Sequence, residues 1–211
     1  MPYSVLVRGK PPKCSNYLPL LIRPTGVGRL WNSRECRLCQ CVCTRCKRKE
    51  PASVAKIKMI SYRGGLVFFA LPIAWREECE PDGGATFYEE RPGSGTLRLN
   101  VLSFSSKDVP AAKMAATAFP KGSFELLPDG FPLRRTVADG EEKGQRLRLH
   151  SWEIAVPVSP HSLRMVVFRH TILAGQEKDQ EIVQELEFID RSIRAGTFSQ
   201  EKGIAGSYIQ Q

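Results

Sequence analysis

The sequence predicts an α+β fold over residues 59–197, in which an antiparallel β-sheet of five to seven strands carries packed helices. Two observations lead to this prediction. Short apolar or alternating segments follow one another, separated by turns rich in Gly and Pro. One amphipathic segment near the C terminus has the length and period of a helix. A single sheet with the long helix on one face would bury both sets of apolar residues.

The strands are predicted from apolar runs and from alternation. Residues 66–71 are continuously apolar and end at Pro72, which is typical of a buried strand. Residues 85–90 and 96–104 flank the turn at residues 91–95, and the second segment alternates apolar and polar positions, so we expect an antiparallel hairpin. Three further strands are predicted, with turns between them at residues 139–140 and 159–161; they cover residues 133–138, 146–158 and 163–173.

Two helices are predicted. The clearer one covers residues 177–194 and has a single apolar stripe with acidic residues in its first turns and Arg191 and Arg194 in its last, the order that the helix dipole favours. Gly196 follows as the expected C-terminal cap. The stripe consists of Ile182, Leu186, Ile189 and Ile193. A shorter helix is predicted from a cap at Asp108 to about Phe119.

The first 58 residues differ in composition from the rest of the chain. They hold 13 Lys and Arg against 2 Asp and Glu, whereas residues 59–211 hold 18 against 20. Residues 1–58 are therefore predicted to be a basic, Cys-rich, disordered segment, and residues 198–211 a flexible tail. The abrupt change also suggests the hypothesis that Met59, or a nearby codon, is the true start. Because residues 59–211 are slightly acidic, we do not expect them to bind nucleic acid.

The N-terminal segment contains the one cysteine cluster of the chain. Cys36, Cys39, Cys43 and Cys46 form two CxxC pairs, and four thiolates suit tetrahedral zinc. Known zinc modules separate such pairs by about 12–20 residues, however, and here three residues lie between them. The cluster remains a candidate metal site beside two other interpretations, a disordered basic tail and a segment absent from the native protein.

The other reactive groups give weak signals. His150 and His170 lie on predicted neighbouring strands with Glu153 nearby, which is enough for half a metal site, but strand histidines are usually packing residues. The acidic residues at 77–82 lack the pattern of a calcium loop and are predicted to form a solvated loop. Residues 92–95 are glycine-rich but lack the GK[ST] of a phosphate loop. No catalytic motif stands out, so we expect no enzyme activity and no cofactor.

The cysteine usage of the remaining chain predicts a location. Residues 59–211 contain only Cys79, so no disulfide is expected within that part. No apolar run is long enough to span a bilayer, and no signal-peptide pattern is recognised. These observations predict the cytoplasm. Carboxylates around Cys79 would make its thiol a poor nucleophile.

The order of elements resembles that of the PsbP-like sandwich family, which includes the extrinsic oxygen-evolving-complex subunit and bacterial DcrB-type domains. The resembling features are the aromatic strand that runs through Pro72 to Trp75, the hairpin of residues 85–104, and the late strand at residues 165–172 followed by the terminal helix. The resemblance implies a sandwich fold and a non-catalytic role in protein contacts. It implies no catalytic residues.

Two functions from different classes follow. The favoured one is a cytoplasmic protein-interaction domain of the adaptor, chaperone or immunity kind, which binds another protein with its sheet face or a sheet edge. The alternative is a zinc-dependent or nucleic-acid-binding regulator that uses the cysteine cluster and the basic arm of residues 1–58.

Overall fold

The computed structural model describes residues 56–80 and 83–201, which form two antiparallel sheets and two α-helices. The predicted α+β class is confirmed. The strands are β1 (Ile57–Tyr62), β2 (Val67–Pro72), β3 (Arg76–Cys79), β4 (Ala85–Tyr88), β5 (Thr96–Ser105), β6 (Glu125–Leu126), β7 (Pro132–Glu142), β8 (Gln145–Val158), β9 (Ser162–Leu173) and β10 (Thr197–Phe198). The helices are α1 (Ala111–Ala116) and α2 (Gln180–Arg194).

The large sheet has seven strands in the order β3-β4-β5-β9-β8-β7-β6, and the small sheet has the order β1-β2-β10. The sequence predicted one sheet, because alternation along a strand indicates which face is buried but not which strands are neighbours. The predicted hairpin is present as β4 and β5, with Ala85 opposite Leu99.

The main core lies between the two sheets and α2. Phe69 of the small sheet contacts Phe87 and Phe168 of the large sheet edge-on, with ring centroids 5.4 and 5.1 Å apart. The predicted apolar stripe of α2 is buried here: Ile182, Leu186, Ile189 and Ile193. The α-helix begins at Gln180 because Asp179 is extended, and residues Gln176–Lys178 form a separate 3-10 turn.

The small sheet is joined to α2 by one side chain. Ser192 accepts a hydrogen bond from the backbone N–H of Ala70 at 2.9 Å, and its hydroxyl donates to the carbonyl of Ala70 at 2.5 Å. Strand β10 pairs with β2 only at Val67 and Phe68. Ser192 therefore satisfies the next outward-facing residue of β2, where strand pairing has ended.

The opposite face of the large sheet is covered in part by α1. Ala115 and Phe119 pack on Ala155 and Leu163 in a second, smaller cluster. The predicted cap at Asp108 is wrong: the helix is preceded by Pro110, with no side-chain cap, and begins at Ala111. Ser106, not Asp108, bonds the backbone of this turn, through the N–H of Val109 at 3.0 Å.

Two further predictions of local structure are corrected. The turn predicted at Asp139 and Gly140 lies inside β7, and the chain reverses at Lys143 and Gly144, whose φ angles of 50° and 78° match a two-residue hairpin turn. The acidic residues expected in a solvated loop are partly in β3, where cross-strand partners outweigh their low strand propensity. Glu78, for example, accepts a hydrogen bond from the Tyr88 hydroxyl at 2.6 Å.

The predicted domain limits stay a prediction, but the ends of the described chain bear on them. Strand β1 begins at Ile57, and the buried Lys58 donates from Nζ to the carbonyl of Trp75 at 2.5 Å. At the other end, Arg164 donates to the carbonyls of Ser199 and Glu201 at 2.5 and 2.9 Å. The packed structure thus extends two residues before residue 59 and up to residue 201.

Candidate functional site

Strand β5 is paired along its full length on one side and along less than half of it on the other. Its ladder with β9 runs from Thr96 to Ser105. Its ladder with β4 ends at Leu99, opposite Ala85. Within the described residues, no strand pairs with β5 on this second side beyond Leu99. We call residues 101–105 of β5 the open edge.

The direction of the backbone groups along the open edge follows from a hydrogen bond just beyond it. The N–H of Ser106 donates to the carbonyl of His161 at 2.9 Å, which continues the register of the β5–β9 ladder. In an antiparallel ladder every second residue directs both backbone groups to the same neighbour. The even-numbered residues of β5 therefore bond to β9. Val101, Ser103 and Ser105 direct their N–H and C=O groups outward, away from β9.

The side chains of the open edge are apolar on one face. Leu102 and Phe104 are 51% and 48% exposed, although Leu97 and Leu99 of the same strand are fully buried. Leu102 lies opposite Met165 and Phe104 opposite Leu163 in the ladder with β9, and both partners belong to the cluster beneath α1. Leu102 and Phe104 thus extend that cluster outward to the edge of the paired strands.

The open edge also lacks charge. Residues 99–106 contain no Asp, Glu, Lys or Arg, no Pro and no Gly. Natural proteins usually guard exposed strand edges with charged side chains, proline or bulges, because free N–H and C=O groups attract further strands. None of these features is found at residues 101–105. The edge therefore offers backbone groups and two apolar side chains without a local barrier to pairing.

The histidines singled out in the sequence do meet. His150 of β8 and His170 of β9 are directly opposite each other, and both are buried on the core face. Glu153 is not near them, because three residues along a strand lead to the opposite face; there it forms an ion pair with Arg134. The carboxylate that reaches His170 is Glu185 of α2, with 2.6 Å between Nε2 and Oε1.

Glu185 was missed in the sequence, although a signal was present. It follows Ile182 by three residues and precedes Ile189 by four, so it lies beside the buried stripe of the helix. Arg91 approaches it at 3.6 Å from the solvent side. Trp75 stacks on the ring of His170, with centroids 6.3 Å apart. These contacts enclose the His170–Glu185 pair on all of the sides that they describe.

The electrostatics of the histidine pair favour a neutral His150. Burial lowers the pKa of His150, and the neighbouring His170, Arg135 and Arg148 lower it further. Neither ring nitrogen of His150 has a hydrogen-bond partner among residues 56–80 and 83–201. Over the same residues, no group of three His, Cys, Asp or Glu side chains could hold a metal ion. Since His170 is fully buried, the pair can hold a proton but does not face a substrate.

The glycine-rich turn has a packing role in the structure. A Cβ atom at Gly95 would lie 2.1 Å from Cε1 of His170, so only glycine allows this histidine to approach the turn. Ser94 is used within the turn, where its hydroxyl donates to the carbonyl of Glu89 at 2.8 Å. The turn is thus filled by a protein side chain at the position that a phosphate loop would leave for its ligand.

The cysteine predictions have two outcomes. Cys79 is disulfide-bonded, so the free thiol expected from the sequence is corrected. The candidate metal ligands Cys36, Cys39, Cys43 and Cys46 lie outside the described residues, as does the disorder predicted for residues 1–55. The alternative function that uses this segment therefore stays a prediction.

A shallow groove of about 360 Å³ lies between α2 and β7. Its lining includes Val183, Arg135, Glu187 and Arg191, so charges of both signs surround a small apolar floor. Asp190 at its base accepts hydrogen bonds from Trp152 at 2.8 Å and from Arg194 at 2.6 Å. These bonds serve the helix–sheet contact, and the groove contributes no further group that is held ready for a ligand. Neither described helix has the length and hydropathy of a membrane span.

Comparisons with known proteins place the chain by fold. No protein-family model matches it, and no curated protein matches it. A solved protein from Bacteroides thetaiotaomicron is 15% identical with a TM-score of 0.39 over 59% of this chain and 46% of its own, so the chain spans about half the length of that protein.

Two other solved structures are similar to most of the chain. LpqN, described as involved in cell envelope biogenesis of Mycobacterium tuberculosis, is 13% identical with a TM-score of 0.45, over 63% of this chain and 83% of its own. The cyanobacterial PsbP (CyanoP) from Synechocystis sp. PCC 6803 is 10% identical with a TM-score of 0.31, over 71% and 96%. The resemblance to PsbP is confirmed as a weak likeness of fold, and the likeness to DcrB-type domains stays a prediction.

Proposed function

We propose that this chain is a non-catalytic protein-interaction domain, of the adaptor, chaperone or immunity kind, that accepts a strand from another polypeptide at the open edge. The observation that carries the proposal is the one-sided pairing of β5 beyond Leu99. The outward backbone groups of Val101, Ser103 and Ser105 match the hydrogen-bonding pattern of an added strand.

Side chains at the edge would give the added strand its selectivity. In strand addition the backbone bonds supply affinity, and pockets beside alternate side chains supply specificity. Leu102 and Phe104 lie on the same face as the cluster under α1 and are half exposed. An added strand with apolar residues at alternate positions would cover them. A strand with charges at those positions would have to desolvate them against apolar surface.

The absence of catalysis stays part of the proposal. What supports it is the position of the titratable groups: His170 is fully buried and bonded to Glu185, whose side chain is 8% exposed. A general acid or base must come within hydrogen-bond reach of its substrate. These groups are instead bonded to each other beneath Trp75.

The test is binding of a labelled peptide that copies residues 98–107, whose terminal Arg and Lys keep it soluble. Amide hydrogen exchange of the full chain is followed by NMR as the peptide is added. We expect exchange to slow at Val101, Ser103 and Ser105. The amides of Leu102 and Phe104 already bond to β9 and serve as internal controls, since their exchange should change less.

Two controls make the test specific to the backbone of the edge. A peptide with Ser103→Pro cannot donate from its centre and should bind at least about tenfold more weakly. In the protein, the double variant L102K/F104K should weaken binding, whereas Leu173→Lys, at another half-exposed leucine, should not. Equal binding of the native and proline peptides would refute strand addition at this edge.

The location of the domain is a separate proposal. Cysteine usage in residues 59–211 favours the cytoplasm, but the disulfide at Cys79 is the kind of bond that persists in oxidising compartments. We keep the cytoplasm as the proposed location. Cell fractionation combined with thiol labelling of Cys79 tests it, and an oxidised Cys79 in an exported fraction would refute it.

A further inference from the structure

We propose that the strand added at the open edge is the same segment of a second copy of this chain, so that two large sheets join through an antiparallel β5–β5 pair. This inference rests on the proposed function, because it uses the same edge and names its occupant. The axis of the pair passes through Ser103, which lies opposite Ser103 of the second copy.

The register follows from the length of the open edge. With Ser103 at the centre, Val101 of each copy lies opposite Ser105 of the other, so all three outward-facing residues find a partner. Centring the pair one residue earlier would place Ser105 against Leu99, whose outward side is occupied by Ala85 of β4. Centring it one residue later would require position 107, beyond the end of the strand at Ser105. Only the register about Ser103 uses the whole edge.

The same register matches the exposed side chains. Leu102 of each copy lies opposite Phe104 of the other, on the face that carries α1. Cross-strand pairs of an aromatic and an aliphatic side chain stabilise antiparallel sheets. Both residues are about half exposed in the single chain, so the contact covers apolar surface that is otherwise in water.

Charge does not oppose self-pairing at this edge. When a strand pairs with its own copy, every charged residue near the centre meets a like charge or its close neighbour, which is destabilising. Residues 99–106 carry no charge, so no such repulsion arises. Arg98 and Lys107 are the first charged residues on either side, outside the paired stretch. This neutrality favours a second copy over a charged partner strand.

The test is sedimentation velocity of the full chain over a range of micromolar concentrations, together with two charge variants at the same two positions. We expect a concentration-dependent dimer for the native chain. L102K/F104K sets lysine against lysine in the paired strands and should raise the dimer dissociation constant by at least about tenfold. L102K/F104E has a lysine opposite the glutamate of the other copy, twice, and should restore dimerisation relative to L102K/F104K.

The charge variants also test the register. If the strands were centred on Leu102 instead, the lysine of L102K/F104E would face the same lysine of the other copy, and dimerisation would not be restored. Because both positions are exposed, the urea midpoints of the two variants should match that of the native chain. A dimer that L102K/F104K leaves unchanged would show that another surface makes it and would overturn the inference.

Failure of this inference can be told apart from failure of the proposed function. A chain that stays monomeric but binds the peptide of residues 98–107 would overturn the second copy as occupant and leave strand addition standing. A chain that neither dimerises nor binds the peptide would overturn both. If the inference holds, the peptide should also dissociate the dimer, because the two compete for the same edge.

Discussion

Two strand edges in this molecule start alike and end differently. Strand β2 loses its partner β10 after Phe68, and strand β5 loses its partner β4 after Leu99. At the next outward residue of β2, Ala70, the hydroxyl of Ser192 bonds both backbone groups. At the corresponding residues of β5, no described backbone or side chain does so. The first edge is closed by a helix that crosses it, and the second lies beyond the reach of either helix.

This difference separates two reasons for a strand to stop pairing. At β2 the helix α2 replaces the neighbour strand, and its Ser192 is buried with the core. At β5 the exposed side chains Leu102 and Phe104 continue an apolar cluster outward instead of giving way to polar residues. An edge that is apolar, uncharged and unprotected is suited to binding a strand, whereas a capped edge is a part of the fold.

The largest expected effect compares the two halves of β5. Leu99→Ala removes a fully buried side chain from the paired half and should lower the free energy of unfolding by about 2–5 kcal/mol. Leu102→Ala, in the open half, should change it by no more than about 0.5 kcal/mol. Urea denaturation of both variants measures the difference. A large loss for Leu102→Ala would mean that the open half is already covered in the folded chain.

The next prediction concerns the capped edge. Ser192→Ala removes both hydrogen bonds to Ala70 and should lower the free energy of unfolding by about 1–3 kcal/mol, because the buried backbone groups are left without a partner. Ser103→Ala is the matched change at the open edge and should have no measurable effect. Hydrogen exchange at Ala70 should become faster in the first variant only. Unchanged exchange at Ala70 would contradict the capping role.

A smaller effect is expected where α2 meets the large sheet. Burial alone raises the pKa of Asp190, but hydrogen bonds from Arg194 and Trp152 outweigh it, so the pKa lies below its ordinary value. A carboxyl with a lowered pKa stabilises the fold at neutral pH and loses this contribution as the pH falls through its folded pKa. Asp190→Asn should therefore cost about 1 kcal/mol at pH 7 and less below about pH 4. A cost that does not depend on pH would contradict this account.

The smallest effect should arise at His150, in the fully paired interior. Burial lowers its pKa, so the folded chain binds fewer protons there than the unfolded chain does. Stability should consequently fall as the pH drops below about 6.5, the ordinary value for histidine. His150→Gln should make this fall shallower in urea titrations at pH 7 and 6. Peptide binding at the uncharged open edge should not change over the same range.

Some of the candidate site could be predicted from the sequence. The alternation of Leu97, Leu99 and Val101 identified the buried face of β5, and the apolar stripe of α2 identified the face that it buries. His150 and His170 were expected to be neighbours and are opposite each other. Glu153 was expected beside them and Glu185 was not, because the partner of His170 comes from a helix that contacts the strand only in the folded chain.

The open edge could not be predicted, for a physical reason. Residues 97–99 and 102–104 have similar apolar character, and local sequence does not say where a neighbouring strand ends. The end of pairing is set by β4, which is four residues long, and the capping of β2 is set by a serine 122 residues further along the chain. Both features depend on contacts between residues far apart in sequence.

The sequence by itself therefore determined the class of the fold, the main strands, the long helix and the faces that they bury, because these follow from periodicities of two and 3.6 residues. Only the tertiary structure decided the division into two sheets, the partners of the histidines and which strand edge is closed. Burial patterns are written locally along the chain, whereas the choice of neighbour is a property of the packed whole.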